Sequence, residues 1–303
     1  MSEINNNNHD QILENFKAAS NLACHEQYEY KQYDLIGLPT GIYVSGPSKL
    51  SYTNLGSIKA LSDLTKKMFS VNISENAETR LLTSLADYYS QNIKDLISLI
   101  NDVKLNSAKV SDHSCIEEYL LVRISIVKSK FFELRLHIWL DDEEKLYWHN
   151  HRYPMSSLCI AGGYSQTIGQ SVGDSNSDVQ LFSSYMRSKD SQNIAHVNSV
   201  DREIQLHSIK SQEFKPGSIY SLETNQYHNL SKLEPKTITL VFRGRSRNNK
   251  TLFLVDKEMA DENCDELFNR KRLIMTYDDI APYLTMTTDK LVELEMLKIV
   301  SID

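Results

Sequence analysis

The chain has 303 residues, of which 41% are apolar and 24% are charged, and its formal net charge is -7 at pH 7. This composition is typical of a soluble globular protein, and the negative charge argues against non-specific binding to nucleic acid or an anionic membrane. No apolar stretch is long enough to span a bilayer, and the polar N-terminus does not resemble a secretory signal. The four cysteines are far apart and form no CxxC pair, so we expect a reduced, cytoplasmic protein.

The N-terminal third has the apolar spacing of helices. Residues 1–11 are polar and include the run Asn5 to Asn8, so we expect them to be disordered. Apolar residues then recur at helical spacing over 12–22, 57–70 and 77–104. We therefore interpret 12–115 as a helical N-terminal region.

Near residue 117 the apolar period changes from that of a helix to that of a strand. In the stretch EYLLVRISIVKSKFFELRLHIWL, apolar residues fall on every second position on both sides of the KSK turn. The same alternation predicts further strands at 155–168, 203–210, 218–223 and 237–243. Short strands separated by turns favour an antiparallel sandwich or barrel over 116–256.

Helical spacing returns at the end of the chain. It covers 257–272 and then 288–298, where Thr288 is the expected N-cap. We interpret 257–303 as helical C-terminal elements.

The stretch WHNHRYPMSSLCIAGGY carries two histidines one residue apart, His149 and His151. Residues two apart on a strand project from the same face, so the two imidazoles can point at one spot. A second stretch, PGSIYSLETNQYHNLS, combines a Pro-Gly turn, an alternating strand and a closing histidine, His228. These three histidines are the candidate metal ligands.

Together the two stretches resemble the two motifs of the cupin superfamily. His149, His151 and Gly162 match the first motif, and Gly217 and His228 match the second. The resemblance covers roughly residues 130–245 and implies a cupin double-stranded β-helix, which is a jelly-roll barrel. The expected fold is therefore mainly β with helical additions. The segment HNHRYPMSSLCIAGGY, followed later by ITLVFRGRSRNNKTLFL, also looks like a set of small bacterial cupins of unassigned function. This second resemblance implies the fold but no substrate.

The match departs from the first motif at the position of its glutamate ligand, where this chain has Met155. Three histidines remain, the set that the thiol dioxygenase branch of the cupins uses for Fe(II). Some of those enzymes carry a cysteine about five residues after the second histidine, where this chain has Ser156, and Cys159 lies three further on. This departure argues against cysteine itself as the substrate. Fe(II) is the expected metal, with zinc, manganese and nickel as alternatives.

Several polar residues near the two motifs are candidates for contact with a substrate. Arg243 and Arg152 could hold a carboxylate in bidentate fashion, although Arg152 follows a ligand histidine and should face away from the metal. Glu223 could offer a carboxylate to the metal or to an amine. Tyr220 and Tyr227 are the candidate catalytic residues, which could position oxygen or act as an acid; packing at the barrel mouth is the alternative.

The function expected from these features is that of a non-heme Fe(II) oxygenase or dioxygenase. Its partners would be O₂ and a small polar metabolite coordinated at the three-histidine site, with no nucleic acid and no membrane. One alternative is a zinc, manganese or nickel isomerase, lyase or hydrolase. The other is a non-catalytic sensor or binding module in which the helical region contacts a partner. A homodimer is expected by analogy with other cupins.

Overall fold

The computed structural model describes residues 55–70, 72–106, 110, 113–117, 121–140, 148–171, 180–189, 195–248, 250–256 and 272–300. The disorder predicted for residues 1–11 and the helix predicted over 12–22 lie outside these residues, as does the helix predicted over 257–272 except for its last residue. Over the described part, the expectation of a mainly β protein with helical additions is confirmed.

Three helices precede the strands. Helix α1 (Ile58–Met68) begins after Ser57, whose hydroxyl accepts a hydrogen bond from a backbone N–H of the first turn. Helix α2 (Glu75–Gln91) begins in the same way after Ser74. The single helical stretch predicted over 77–104 is divided, because Asn92 leaves the helical conformation at φ -115°, ψ 63° and helix α3 (Ile93–Leu105) starts after it.

The strands follow in an order that alternates between two sheets. They are β1 (Cys115–Glu117), β2 (Leu121–Lys128), β3 (Glu133–Trp139), β4 (Trp148–His149), β5 (Met155–Ala161), β6 (Tyr164–Ser171), β7 (Gln180–Lys189), β8 (Ala195–Phe214), β9 (Ile219–Leu222), β10 (Gln226–Ser231), β11 (Ile238–Arg243), β12 (Thr251–Asp256) and β13 (Arg272–Ile274). Helix α4 (Tyr277–Val300) ends the described chain. No helix among the described residues is long and apolar enough to cross a membrane.

Both sheets are antiparallel in every pairing between described strands. The first sheet has the order β13-β1-β2-β3-β11-β5-β9. The second joins β10, β4, β12, β7, β8 and β6 in that order, and β6 also pairs with β10. The two strands that carry the candidate histidine ligands, β4 and β10, are therefore direct neighbours in the second sheet.

The helices pack on one face of the first sheet. Apolar residues of α1, α2, α3 and α4 share a single buried cluster with residues of β2, β3, β5 and β11. On β3 the residues that enter this cluster are Leu134, Leu136 and Ile138, all fully buried. Because side chains alternate along a strand, Glu133, Arg135 and His137 lie on the opposite face of the same sheet.

Two expectations about the C-terminal part are wrong. Thr288 does not cap a helix: it lies inside α4, and its hydroxyl donates to the carbonyl of Leu284 at 2.9 Å. The region expected to be helical also contains strand β13, which pairs with β1 at the edge of the first sheet. Three residues are too few to show a periodicity, so the sequence carried no signal for this strand.

The glycine pair of the first motif closes the turn between β5 and β6. Gly162 has φ +70°, a conformation that other residues rarely adopt. A Cβ atom at Gly162 would lie 2.3 Å from Oγ1 of Thr237, so the close approach of two backbones also requires glycine. Thr237 in turn donates to the carbonyl of Gly163 at 3.1 Å and receives a hydrogen bond from its N–H.

Candidate metal centre

The three candidate ligands come from two neighbouring strands. His149 ends β4 and is the register partner of His228 on β10. His151 lies two residues beyond His149, so its side chain returns to the same face as the strand alternation requires. His228 is buried with 3% of its surface exposed, while His149 and His151 are half-buried. The expectation that the three imidazoles meet is confirmed.

The imidazoles meet through the same ring nitrogen. Nε2 of His228 lies 2.8 Å from Nε2 of His151 and 3.2 Å from Nε2 of His149. The one ligand atom that each residue offers lies within 4.8 Å of the other two. The three nitrogens therefore converge on one point and can act together as electron-pair donors to a single ion.

Burial favours the neutral form of His151 and of His228. It lowers the pKa of His228 well below the ordinary value of 6.5, and the charges of His149 and His151 lower it further. Burial and the charge of His149 lower the pKa of His151 in the same way. At neutral pH these two rings therefore have an unprotonated nitrogen with a free lone pair, the form that binds a metal.

The donor set fits a divalent metal ion. A proton on one Nε2 can form a hydrogen bond to only one other Nε2 at a time. One metal cation, by contrast, can accept a lone pair from each of the three nitrogens. Imidazole suits iron, zinc, copper and nickel, so the ligands alone leave these metals open. When Nε2 of a histidine binds an ion, Nδ1 of the same ring carries the proton. In His228, Nδ1 is buried and has no hydrogen-bond partner among the described residues.

Aromatic rings enclose the three histidines. Phe253 of β12 stacks on His149 with ring centroids 5.6 Å apart, and Tyr153 stacks on His151 at 5.8 Å. The ring of Tyr220 lies 6.4 Å from that of His228. These ring contacts restrict the orientations of the imidazoles.

A charged cluster lies next to the histidines. One carboxylate, that of Glu133, accepts a hydrogen bond from Arg135 at 2.7 Å and another from Arg243 at 2.7 Å. The guanidinium of Arg243 also covers the ring of Tyr153 at 3.4 Å, and Tyr153 is the residue that stacks on His151. The cluster and the histidine site therefore share Tyr153.

Two positive charges share one negative charge in this cluster. Burial raises the pKa of Glu133, but the charges of Arg135 and Arg243 outweigh it and hold the pKa below its ordinary value. Burial lowers the pKa of Arg243 to about 10, so its guanidinium is still protonated at neutral pH. Nε of Arg243 is buried and has no hydrogen-bond partner among the described residues. Among the described residues, no second carboxylate forms a salt bridge with either of these two guanidinium groups.

The other predicted site residues have different positions. Tyr220 is buried among Phe214, Tyr164 and other core residues, and it is close to His228. Tyr227 lies on the opposite face of β10 from His228 and packs in a separate apolar cluster. The structure brings Tyr220 to the histidines and does not bring Tyr227 there.

Arg152 and Glu223 are engaged outside the histidine group. The carbonyl of Arg152 accepts hydrogen bonds from the N–H groups of Arg247 and Asn248, and its side chain is half-buried. The carboxylate of Glu223 accepts a hydrogen bond from Asn76 of α2 at 3.3 Å. The substrate roles of Arg152 and Glu223 stay predictions.

Two further residues that the sequence drew attention to lie in the core. Met155, at the position of the missing glutamate, is 4% exposed and packs among apolar side chains. Cys159 is fully buried in the same cluster, and burial raises the pKa of its thiol to about 12. Cys159 is therefore a core residue.

Sequence reasoning missed Tyr153, Arg135 and Glu133. A signal was present in the stretch ELRLHIW, where charged and histidine residues alternate with leucine and isoleucine. Alternation alone indicates a solvent-exposed polar face. These residues are buried because the second sheet covers that face, and the sequence pattern does not reveal this covering.

Comparison with known proteins assigns no family. No protein-family model and no curated protein matches the sequence. Among solved structures, an oxalate decarboxylase of Lactobacillus farciminis in complex with formate matches at 11% identity and TM-score 0.26, over 52% of this chain and 38% of that chain. KdgF from Halomonas sp. matches at 12% identity and TM-score 0.26, over 44% of this chain and 88% of that chain.

A third match contains a metal. HEPD of Streptomyces albus, with 2-hydroxyethylphosphonate and Fe(II) bound, matches at 8% identity and TM-score 0.25, over 55% of this chain and 26% of that chain. This chain therefore spans much less than half of the decarboxylase and of HEPD. TM-scores at this level carry no argument about the family or the activity of this chain.

Proposed function

We propose that this protein is a metal-dependent cupin enzyme, and that its metal is held by His149, His151 and His228. The observation that carries the proposal is the convergence of three Nε2 atoms, two of them at 2.8 and 3.2 Å from the third. The antiparallel sheets and the sequence motifs support a double-stranded β-helix. Fe(II) is the proposed metal, and zinc, manganese and nickel remain the alternatives.

The proposed activity is oxygenation of a small polar metabolite coordinated at the metal. His149, His151 and His228 would hold the ion and would leave coordination positions for a substrate and for O₂. Fe(II) bound there would supply the oxygen chemistry, which no amino-acid side chain can perform. The protein's part is to hold the three imidazoles, to orient the substrate and to limit the access of water through Phe253, Tyr153 and Tyr220.

The charged cluster supports an anionic substrate. Arg135 and Arg243 share the carboxylate of Glu133, and a divalent metal held by the three histidines would add further positive charge to the same interior. A small carboxylic acid would balance this charge by binding the Nε–H of Arg243, which has no hydrogen-bond partner among the described residues. Arg243 is therefore the proposed carboxylate contact, and Arg152 and Glu223 remain secondary predictions.

Tyr220 is the proposed proton donor near the site. Burial raises the pKa of its hydroxyl to about 12, so the group keeps its proton at neutral pH and can donate a hydrogen bond to a bound molecule. The ring distance of 6.4 Å from His228 keeps it close to the ligand set. Tyr227 would act from the other face of β10, and it therefore has less support.

Oxygen consumption tests the activity. The purified protein is loaded anaerobically with Fe(II), and O₂ uptake is followed with a panel of small carboxylic acids, amino acids and uncharged analogues. We expect uptake that depends on a carboxylate compound and is lost in His151→Ala. Binding of a carboxylate without O₂ uptake, in protein free of metal, would favour a non-catalytic sensor. Turnover with zinc or manganese and without O₂ would favour an isomerase, lyase or hydrolase.

A further inference from the structure

Asn150 lies between two of the proposed ligands, yet its side chain points away from them. Residues on an extended strand alternate, so the side chains of His149 and His151 share one face and that of Asn150 takes the other. Asn150 is buried, with 6% of its surface exposed. A buried amide is costly unless its polar atoms are hydrogen-bonded, so its partners are informative.

Asn150 joins its strand to β12. Its backbone N–H donates to the carbonyl of Leu252 at 3.1 Å, and its side-chain Oδ1 accepts from the N–H of Leu252 at 2.7 Å. These two hydrogen bonds engage both the backbone C=O and the backbone N–H of Leu252. The segment that carries His149 and His151 is thereby fixed along that strand.

The other half of the amide reaches the turn before His228. Nδ2 of Asn150 donates to the carbonyl of Thr224 at 3.3 Å. Thr224 begins the turn between β9 and β10, and His228 follows four residues later along the chain. The amide orientation is unambiguous, because the carbonyl of Thr224 requires a donor and the N–H of Leu252 requires an acceptor.

Helix α2 holds the same turn from the other side. Glu75, the first residue of α2, accepts hydrogen bonds from the N–H of Thr224 and from its hydroxyl, the latter at 3.1 Å. The turn that delivers His228 therefore lies between the amide of Asn150 and the carboxylate of Glu75.

We infer that Asn150 is the positioning residue of the histidine site, and that Glu75 supports it through Thr224. Asn150 sets the distance between the strand of His149 and His151 and the strand of His228. A ligand set tolerates a displacement of only about half an ångström, so loss of this link separates nitrogens that now lie 2.8 and 3.2 Å apart. This inference rests on the proposed metal site.

Metal titration tests the role of Asn150. Co(II) is added to metal-free full-length protein, and the visible absorption of the bound ion reports both the affinity and the ligand geometry. We expect Asn150→Ala to weaken Co(II) binding on the order of tenfold and to change the absorption spectrum, as for groups that support metal ligands. Asn150→Asp keeps the acceptor for Leu252 and loses the donor to Thr224, so a spectrum that still differs from wild type is expected.

A matched control separates positioning from general damage. Asn229, next to His228 on β10, makes no side-chain hydrogen bond within the described part of the chain, so Asn229→Ala should bind Co(II) as wild type does. A folded Asn150→Ala protein with wild-type affinity and spectrum would overturn the inference.

A second variant keeps the test decisive if Asn150→Ala does not fold. Glu75→Ala changes only the first residue of α2, and we expect it to weaken Co(II) binding several-fold; unchanged binding would then overturn the inference. If wild-type protein binds no Co(II), the proposed metal site fails as well. Binding by wild type and by both variants alike removes only the role of Asn150.

Discussion

Strand β3 presents two different surfaces on alternate residues. Leu134, Leu136 and Ile138 enter the core shared with the helices. Glu133, Arg135 and His137 face the other way, toward the interior that contains the three histidines. Burial of the first set stabilises the fold, whereas burial of charged and polar groups costs free energy unless they are paired. The helix-facing side therefore stabilises the fold through apolar packing, whereas the interior side depends on the pairing of charges and faces the proposed metal site.

The largest effect on stability is expected on the interior side, at Glu133. Glu133→Gln leaves the guanidinium groups of Arg135 and Arg243 without their shared carboxylate, and loss of one partner of a buried ion pair costs about 3–5 kcal/mol. Urea unfolding at pH 7 measures the change in the free energy of unfolding. The exposed Glu213 provides the control, and Glu213→Gln should remain within about 0.5 kcal/mol of wild type. A similar small change for Glu133→Gln would show that the arginines are balanced by another group.

The next effect is expected on the helix-facing side, at Leu136. Its side chain is fully buried, so Leu136→Ala removes apolar contacts, leaves a cavity and destabilises the protein by about 2–5 kcal/mol. Leu105 is 85% exposed, and Leu105→Ala should have almost no effect on the same unfolding curve.

The metal affinity of the Leu136→Ala variant tests whether the two faces of β3 have different roles. Because Leu136 faces the helices, we expect folded Leu136→Ala protein to bind Co(II) as tightly as wild type does. A large loss of affinity would contradict the division of β3 into a structural and a chemical face.

The two faces also differ in how well the sequence predicts them. Apolar period two predicted the strands around Leu134 and Leu136, and strand alternation with the spacing of two histidines predicted that His149 and His151 meet. The cluster around Glu133 was not predicted, because its partners Arg243 and Tyr153 are more than a dozen residues apart in the chain and meet only through sheet pairing. Thr288 was misread as a cap because α4 starts earlier, at Tyr277.

The smallest effect is expected in the pH dependence of stability, at His137. Burial lowers the pKa of His137 well below 6.5, and the charges of Arg123, Arg135 and Arg243 lower it further. As the pH falls below about 6.5, His137 takes up a proton in the unfolded chain but not in the folded chain. The free energy of unfolding therefore falls toward acid pH. His137→Gln removes this contribution.

Unfolding curves between pH 7.5 and pH 5 measure that contribution, and roughly this range brackets the ordinary histidine pKa. We expect a shallower loss of stability toward acid pH in His137→Gln than in wild type. His113 is exposed, and His113→Gln should keep the wild-type slope. Equal slopes in all three proteins would show that His137 takes up its proton in the folded state.

The central claim is that His149, His151 and His228 hold a metal ion. The most direct test is the metal content of protein purified without oxygen, with wild type beside His228→Ala and with circular dichroism to confirm that both are folded. The account predicts close to one iron per wild-type chain and almost none in the variant. One zinc or manganese instead would keep the site and remove the oxygenase chemistry. Equal and negligible metal in both proteins would contradict the claim, and the three imidazoles would then be joined only by hydrogen bonds.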